Sequence, residues 1–495
     1  MDCEVAVVGG GIGGLTVAAL LSQRGVDVCL LEREPQVGGC AASFEKFGYK
    51  FDPTDGLYTG WADGDIYSRI FSELSVAPPQ TRPLHPSYVV SLPDGEEVSV
   101  TGDLEQLESE LSRAFPECRD LAISFYRKLS ITSSALDHVL QTDPGFFTGS
   151  VARKALSLAR HGTAALELNK YSSNTTDKHL GAVSTRFRRF IDVQLQTLAN
   201  GNSSQVSYLY AASALINRRG MFAVASGAAG LAQRLAESTT DNGGKIRLNT
   251  GVLRLAYDSA GKAIGVDLLT GETVRASRAI ISNLTIWDTY GKLIGLNRTE
   301  TGLRKKLNEL RGWGAYMVYA GIDTVASDAI SQSPLLHLTD LQEDTEYDPE
   351  TSQVVFNSAS GSDPRAPDGK RAVTIHSFTD VERWFTFHRD ETELEELDQE
   401  MLEQVWTRLH RAMPALGDSI EVIDTSTPRS YYEETRRKLG MVGGLPVTPS
   451  AFTSGTSFET SLPNLFIVSD TCCHGGIAGV SRLALDLANH LSKSR

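Results

Sequence analysis

The chain has 495 residues, which is long enough for two or more domains with a sizeable core. Its 61 Asp and Glu outnumber its 47 Lys and Arg, so the formal net charge is −14. This charge argues against binding to nucleic acid and against electrostatic attachment to anionic lipid, although an apolar surface can still dock on a membrane.

The cysteines and the apolar runs indicate the compartment. The 6 cysteines form no C-x-x-C pair and no metal-ligand spacing, which fits a reducing compartment and predicts no metal site. The first predicted strand begins at residue 4, so no signal peptide is expected before it. No apolar run reaches the roughly 20 residues that span a bilayer. We therefore expect a cytoplasmic protein and leave peripheral contact with a membrane open.

The chain begins with the pattern of a dinucleotide-binding βαβ unit. A β-branched run over residues 4–8 precedes Gly9, Gly11 and Gly14, which have the spacing G-x-G-x-x-G, and an apolar helix follows. Gly9 allows a sharp turn, Gly11 lets a pyrophosphate approach the backbone, and Gly14 lets the helix pack closely on the strand. The N-terminal end of the helix then presents free N–H groups to the phosphates.

The continuation of this unit distinguishes the dinucleotide. The second strand, predicted over residues 26–32, ends in Glu32, whose carboxylate can accept a hydrogen bond from a ribose hydroxyl. Arg33 follows, and a second glycine pair, Gly38 and Gly39, comes shortly after. FAD enzymes of the glutathione-reductase type carry this continuation, whereas nicotinamide dehydrogenases have no need of the second pair; an ordinary turn is the alternative. We therefore predict FAD as the cofactor, bound by these residues.

The middle of the chain is predicted to be mostly helical. Residues 65–219 carry apolar side chains at helical spacing over 104–115, 121–140 and 187–198, and residues 88–100 alternate like a hairpin. Residues 146–165 join two phenylalanines to a helix with the basic residues Arg153, Lys154 and Arg160. This helix could lie on a membrane surface and admit a lipid-soluble substrate, although a solvated basic face is the commoner explanation.

Residues 219–283 are predicted to complete the sheet of the FAD domain. A helix that ends near residue 238 is followed by short strands over 246–249, 263–268, 274–276 and 278–282. Val252 lies where such domains hold the adenine side through main-chain groups, and a generic α/β segment is the alternative. Further on, strands are predicted over 313–322 and 372–376, and helices over 391–413 and within 427–446.

The C-terminal segment carries a second ligand-binding pattern. A strand over residues 465–468 ends at Asp470, and a glycine-rich turn opens the last helix. A carboxylate at the end of a parallel strand lies in the crevice where open α/β sheets bind ligands, so Asp470 can accept a hydrogen bond from a ribityl hydroxyl. The N–H groups around Gly476, Ile477, Gly479 and Val480 would face the pyrimidine end of the flavin, where a helix N-terminus stabilises negative charge.

Together, these motifs resemble the phytoene desaturase, carotenoid isomerase and retinol saturase family, a branch of the flavin amine-oxidase superfamily. The resemblance spans the chain and is strong over residues 7–43, 220–283 and 427–491. It implies an α/β fold in which a glutathione-reductase-type Rossmann domain, discontinuous in sequence, holds FAD and carries an inserted mixed α+β substrate domain. We expect residues 1–70, 220–295 and 428–495 in the first domain and 71–219 and 296–427 in the second.

The last motif departs from the family pattern beside the flavin. The chain has Cys472, Cys473, His474 and Ala478 where members of the family often have histidine, proline, glycine and proline. His474 is therefore a candidate proton donor or acceptor, although a hydrogen-bonded loop histidine is the favoured alternative. The adjacent cysteines could bind the flavin or form a redox pair, but a disulfide between neighbours is strained.

The resemblance implies an oxidoreductase that acts on carbon–carbon bonds of an apolar, polyene-like substrate. Desaturation and cis/trans isomerisation are favoured over saturation, and the sequence does not choose among them. A flavin amine oxidase is the first alternative, but the sequence spacing does not place Tyr431 and Tyr432 as the aromatic pair that it needs. A prenyl-binding protein similar to Rab GDP-dissociation inhibitors is the second, and the intact glycines, Glu32 and Asp470 argue against it.

Overall fold

The computed structural model describes residues 2–143, 146–148, 151–328, 330, 333–341, 346–359, 365–386 and 391–493, with the backbone alone for residues 151–155 and 328. The strands, in chain order, are β1 Asp2–Val8, β2 Val28–Leu31, β3 Phe44–Lys46, β4 Tyr49–Phe51, β5 Thr81–Pro83, β6 Tyr88–Ser91, β7 Glu97–Val100, β8 Phe222–Val224, β9 Lys245–Arg247, β10 Val252–Tyr257, β11 Ala263–Leu268, β12 Thr273–Ser282, β13 Gly314–Asp323, β14 Leu335–Leu338, β15 Gln353–Ser358, β16 Lys370–Thr379, β17 Ile420–Ser426 and β18 Leu465–Ile467.

The helices are α1 Ile12–Gln23, α2 Ile66–Glu73, α3 Leu104–Ala114, α4 Arg119–Thr142, α5 Val151–His161, α6 Thr163–Tyr171, α7 Asp177–Leu180, α8 Thr185–Ala199, α9 Tyr208–Leu215, α10 Gly227–Asp241, α11 Ile286–Asp288, α12 Thr301–Glu309, α13 Thr324–Asp328, α14 Pro349–Ser352, α15 Glu391–Ala412, α16 Pro428–Thr435, α17 Pro449–Ser454 and α18 Gly476–Lys493.

The first sheet joins the two ends of the chain. Its strand order is β10-β11-β12-β1-β2-β9, and β18 pairs with β12. Strands β9, β2, β1, β12 and β18 run parallel, whereas β10 and β11 form an antiparallel extension. Val5 and Val7 face the core with α1, α10 and α18, while Ala6 and Val8 face a second core. Such burial on both faces is typical of parallel strands, and each valine contributes roughly 1.5–3 kcal/mol.

The second sheet has the order β17-β13-β16-β15-β14-β6-β7, in which β14 and β6 pair in parallel and the other pairs are antiparallel. On β13, Tyr316 and Val318 pack against α15 through its buried residues Met401 and Val405. The alternate residues of β13 point to the opposite face of the sheet. One face of this sheet is therefore covered by α15, and on the other face Met317 and Tyr319 pack with Tyr49 and Phe51.

The structure confirms the α/β fold class and most of the predicted elements. The predicted break at residue 277 is wrong, because β12 continues from Thr273 to Ser282 and pairs first with β11 and then with β1 and β18. The sequence patterns also miss β10, β14, β15 and β17. All strands of the first sheet lie in the segments expected for the FAD domain, but the domain boundaries themselves stay a prediction.

Residues 146–165, for which both a membrane surface and a solvated basic face were considered, lie partly outside the described residues. This applies to residues 149–150 and to the side chains of Arg153 and Lys154. Beyond them, Leu156 in α5 and Leu166 in α6 are 62% and 54% exposed. Within the described residues, no helix combines the length and apolar character that a bilayer crossing requires.

Candidate active site

One cavity of about 1290 Å³ is lined by residues of both sheets and of both ends of the chain. Its volume exceeds the roughly 300–1,000 Å³ typical of a pocket for one ligand. The predicted site residues in its wall are Gly9, Gly11, Glu32, Arg33, Gly38, Gly39, Val252, Asp470, His474, Gly476, Ile477, Gly479 and Val480. The structure therefore brings the N-terminal and C-terminal motifs together, although their contacts with a cofactor stay a prediction.

The glycine-rich turn at residues 9–14 packs on the one at residues 38–39, and both contribute residues to this wall. A Cβ at Gly14 would lie 2.2 Å from the Gly9 carbonyl oxygen, so only glycine allows α1 to approach the turn this closely. The N–H of Gly38 donates to the Gly10 carbonyl oxygen at 2.8 Å. Among the described residues, no side chain caps α1, whose N-cap is Gly11. Its first N–H groups are therefore available to a ligand in the cavity.

Glu32 is held in one orientation at the end of β2. Its Oε2 accepts a hydrogen bond from the Gly10 N–H at 2.6 Å, and its Oε1 accepts one from the Glu34 N–H at 2.9 Å. Each carboxylate oxygen keeps a further lone pair, which can accept a hydrogen bond from a ribose hydroxyl. Arg33 donates to the Glu434 carbonyl oxygen at 2.5 Å, so part of its guanidinium is already engaged by the protein.

Asp470 pairs with an arginine that no sequence motif indicated. Nη1 of Arg437 lies 3.1 Å from Asp470 Oδ1, and Nη2 lies 3.0 Å from Oδ2, which forms a bidentate ion pair. Arg437 also donates to the carbonyl oxygens of Met441 at 2.8 Å and Gly443 at 2.7 Å. The Asp470 side chain stays 27% exposed. Its carboxylate is therefore fixed by Arg437 but can still accept a hydrogen bond from a hydroxyl group in the cavity.

His474 lies in the cavity wall, and its ring is held by the neighbouring loop. Its Nε2 lies 3.3 Å from the Ala451 carbonyl oxygen, and its ring stacks on Phe452 with centroids 6.2 Å apart. Burial lowers the pKa of His474, which favours the uncharged ring. A role in proton transfer stays a prediction.

The two cysteines before His474 are free thiols. Burial raises the pKa of Cys472 to about 12 and raises the pKa of Cys473 well above its ordinary value. Thiols with such high pKa values are poor nucleophiles, because the thiolate is the reactive form. The geometry therefore offers no support for a redox role of this pair.

The second sheet supplies a largely apolar wall. Ala315, Met317 and Tyr319 from β13 line the cavity, together with His376 and Phe378 from β16. In the pairing of these strands, Met317 lies opposite His376 and Ala315 lies opposite Phe378. Burial lowers the pKa of His376 to about 4, so the ring is neutral at pH 7 and adds no charge to the wall.

The tyrosine pair before Asp470 is divided by the fold. Tyr431 lines the cavity, and its hydroxyl lies near Cys40 and Arg437. Tyr432 packs instead against Phe385, with ring centroids 5.6 Å apart. These two residues therefore do not form an aromatic pair around a substrate.

FAD fits this set of residues. The uncapped start of α1 suits a pyrophosphate, and Glu32 at the end of β2 suits a ribose hydroxyl. Asp470 and the start of α18 line the same cavity, which suits a ribityl hydroxyl and the flavin ring. A Cβ at Gly13 would lie 2.8 Å from Val480 Cγ2, so these two helix starts are in contact. The cavity volume leaves room for a second molecule.

Comparison with known proteins gives the family. A model of flavin containing amine oxidoreductases matches residues 12–489. The chloroplastic prolycopene isomerase of Arabidopsis thaliana is 26% identical over 499 residues, which cover 97% of this chain and 80% of that protein. The all-trans-retinol 13,14-reductase of Danio rerio is 24% identical over 540 residues, which cover 98% of this chain and 85% of that protein.

A solved structure of putrescine oxidase bound to putrescine matches with a TM-score of 0.64 at 16% identity. The match covers 100% of this chain and 99% of the putrescine oxidase chain. At this identity, the likeness shows a shared fold. The predicted resemblance and the predicted cofactor, FAD, are both confirmed. The chain belongs to the family of flavin containing amine oxidoreductases.

Proposed function

We propose that this oxidoreductase acts on carbon–carbon bonds of an apolar, polyunsaturated substrate, by desaturation or by cis/trans isomerisation, with saturation as a less favoured third reaction. The observation that carries the proposal is the cavity itself, which extends from the glycine turns to the apolar face of the second sheet. The relatives named for prolycopene and for retinol act on polyenes by their names, and each aligns with nearly the whole chain.

In this proposal, residues of this chain would hold and orient both FAD and the substrate. FAD, when bound, supplies the acceptor or donor of a hydride. The start of α1 and Glu32 would hold its phosphates and ribose, and the Asp470 carboxylate, fixed by Arg437, would accept a hydrogen bond from its ribityl chain. The N–H groups at the start of α18 favour negative charge at the pyrimidine end. Met317 and Phe378 keep water away from the substrate.

Amine oxidation is the second candidate, because the fold is shared with putrescine oxidase. A protonated amine is a cation, and the faces of aromatic rings attract cations, so an amine substrate would be recognised by aromatic rings that flank it. Tyr431 and Tyr432 do not provide that pair, since Tyr432 lies against Phe385. The apolar wall of the cavity likewise suits a hydrocarbon chain better than a diamine.

Peripheral contact with a neutral membrane belongs to the same proposal, since an apolar polyene dissolves in lipid. Leu156, Leu158 and Leu166 are exposed on α5 and α6, and such side chains can enter the headgroup region. Flotation with neutral phosphatidylcholine vesicles should carry the wild-type protein upward and leave the Leu156→Gln/Leu166→Gln variant behind. Equal flotation of both proteins would contradict this contact.

The central experiment is anaerobic incubation of the FAD-loaded protein with candidate polyenes and, separately, with putrescine. Bleaching of the flavin absorbance by a polyene, with a more desaturated product on chromatography, supports desaturation. Geometric isomers that appear only after chemical prereduction of the flavin support isomerisation, and a product with one double bond fewer supports saturation. Bleaching by putrescine and by no polyene would refute the proposal and favour amine oxidation.

A further inference from the structure

The loop between β4 and α2 carries a carboxyl group that no motif indicated. Asp55 lines the cavity, and its Oδ1 accepts a hydrogen bond from the Leu57 N–H at 3.0 Å. Within the described part of the chain, Asp55 forms no ion pair, and Oδ2 accepts no hydrogen bond from another residue. One carboxylate oxygen is thus fixed by the backbone, and the other is free to meet a ligand.

The loop is rigidly attached on both sides of Asp55. The Tyr58 hydroxyl donates to Asp52 Oδ2, lies 2.6 Å from Thr54 Oγ1, and accepts a hydrogen bond from the Ala228 N–H at 2.9 Å. Thr374 Oγ1 donates to the Asp52 carbonyl oxygen at 2.8 Å. A catalytic group needs such support, because its position must be set before the substrate arrives.

The same loop contacts both the second sheet and the start of α18. A Cβ at Gly56 would lie 2.5 Å from Asn357 Nδ2 on β15, so the loop touches the second sheet here. A Cβ at Gly60 would lie 3.1 Å from Ala478 Cβ, so the loop touches the first turn of α18 four residues later. Asp55, which precedes Gly56 in this loop, therefore lines the cavity close to the second sheet.

The surroundings of Asp55 favour a carboxyl group that exchanges its proton near neutral pH. Burial, together with the neighbouring Asp52 carboxylate, raises the pKa of Asp55 to about 6, against the lowering effect of the hydrogen bond from the Leu57 N–H. Of the other titratable groups along the cavity, His376 and His474 have pKa values lowered by burial, and Tyr58 and Tyr319 have raised ones.

Two arginines contact other carboxylates of this loop. Arg365 lies 3.8 Å from Asp52 Oδ2, and Arg482 lies 3.4 Å from Asp65 Oδ1. Neither forms an ion pair with Asp55. A general acid or base works best when its pKa lies near the working pH, and Asp55 has that property.

Resting on the proposed function, we propose that Asp55 is the proton acceptor in desaturation and the proton donor in the reverse, saturating reaction. In desaturation one C–H bond of the substrate breaks with hydride transfer to FAD, and the neighbouring C–H bond gives its proton to the Asp55 carboxylate. The electron pair of that second bond becomes the new C=C bond. The substrate is oxidised by two electrons, FAD is reduced by two, and Asp55 ends as the carboxylic acid.

The test compares wild type, Asp55→Asn and the matched control Asp63→Asn, in which the same change is made at an exposed residue of the same loop. Flavin reduction by the polyene identified for the wild type is followed anaerobically from pH 5 to pH 9. For desaturation, the wild-type rate should rise with pH through about 6 and then level off, because the carboxylate is the active form.

In Asp55→Asn the rate of flavin reduction should fall by roughly 10²–10⁴-fold and lose this pH dependence. Asp63→Asn should keep the wild-type rate and its pH dependence. In the saturating direction the wild-type rate should instead fall above the same pH. Asp55→Glu should recover part of the rate and a shifted pH dependence, which a purely structural role would not produce.

Two further measurements do not depend on turnover. Infrared difference spectra of wild type against Asp55→Asn, with and without FAD, should show a protonated carboxyl band that titrates near pH 6 and is absent in the variant. FAD content and unfolding temperature should match the wild type. Wild-type rates in a folded, FAD-loaded Asp55→Asn would overturn the assignment of Asp55 alone. A wild type that converts no polyene would overturn the proposed function, and the role of Asp55 with it.

Discussion

The Arg437→Met variant tests the bidentate ion pair that holds Asp470 at the cavity. Arg437 is 9% exposed and makes two contacts of 3.0–3.1 Å with Asp470, besides two hydrogen bonds to the carbonyl oxygens of Met441 and Gly443. Removal of one partner from a buried ion pair costs about 3–5 kcal/mol, because the other charge stays buried. Since Asp470 is 27% exposed, water screens part of this loss, and we expect about 3 kcal/mol.

Urea unfolding followed by tryptophan fluorescence measures this difference, and the FAD content after gel filtration measures the effect on the cofactor. The matched control is Arg429→Met, which removes an exposed ion pair with Glu433 at 3.5 Å that is worth about 0.3–0.5 kcal/mol. Arg437→Lys should fall between wild type and Arg437→Met, because lysine keeps the charge but not the planar fork. If Arg437→Met loses no more free energy of unfolding than Arg429→Met, the reasoning is refuted.

Glu32→Ala should weaken FAD retention, because a ribose acceptor is lost together with the acceptor of two backbone N–H groups. Gly14→Ala should destabilise the protein and release FAD, because its Cβ would lie 2.2 Å from a carbonyl oxygen of the glycine turn. The pKa of His337 is lowered from 6.5 to about 4 by burial. The unfolded state therefore binds the proton more readily, and about 3 kcal/mol of stability should be lost as the pH falls from 6.5 towards 4.

Each of these expectations has its own control. The FAD-to-protein ratio of Glu32→Ala is compared with that of Glu45→Ala on β3, and an unchanged ratio would count against Glu32. Gly14→Ala is compared with Gly302→Ala, where a Cβ meets nothing within 4 Å, and equal stability of the two variants would contradict the close packing of α1. His337→Leu should flatten the pH dependence of unfolding, since neither ring nitrogen of His337 has a partner among the described residues. An unchanged slope would contradict that origin.

Local sequence patterns predicted the parts of this fold that are held by short-range contacts. The glycine spacing from Gly9 to Gly14 predicted a turn and a helix start, because few other residues allow such a close approach of backbone. The hairpin at residues 88–100 and the long helix α15 were likewise predicted and are present. In contrast, β14 and β17 were missed, because a short strand is stabilised mainly by the distant strand with which it pairs.

The sequence by itself determined the cofactor, since the order of strand, glycines, helix and Glu32 is a local pattern that nucleotide phosphates and ribose require. Only the tertiary structure brought Arg437 to Asp470 and separated Tyr431 from Tyr432, because these outcomes depend on how the segment after β17 crosses the cavity. The place of Asp55 was decided in the same way, by contacts of its loop with β15 and α18, which are hundreds of residues away in the chain. Contacts of this kind have no periodic signature, since their partners meet only after both sheets have formed.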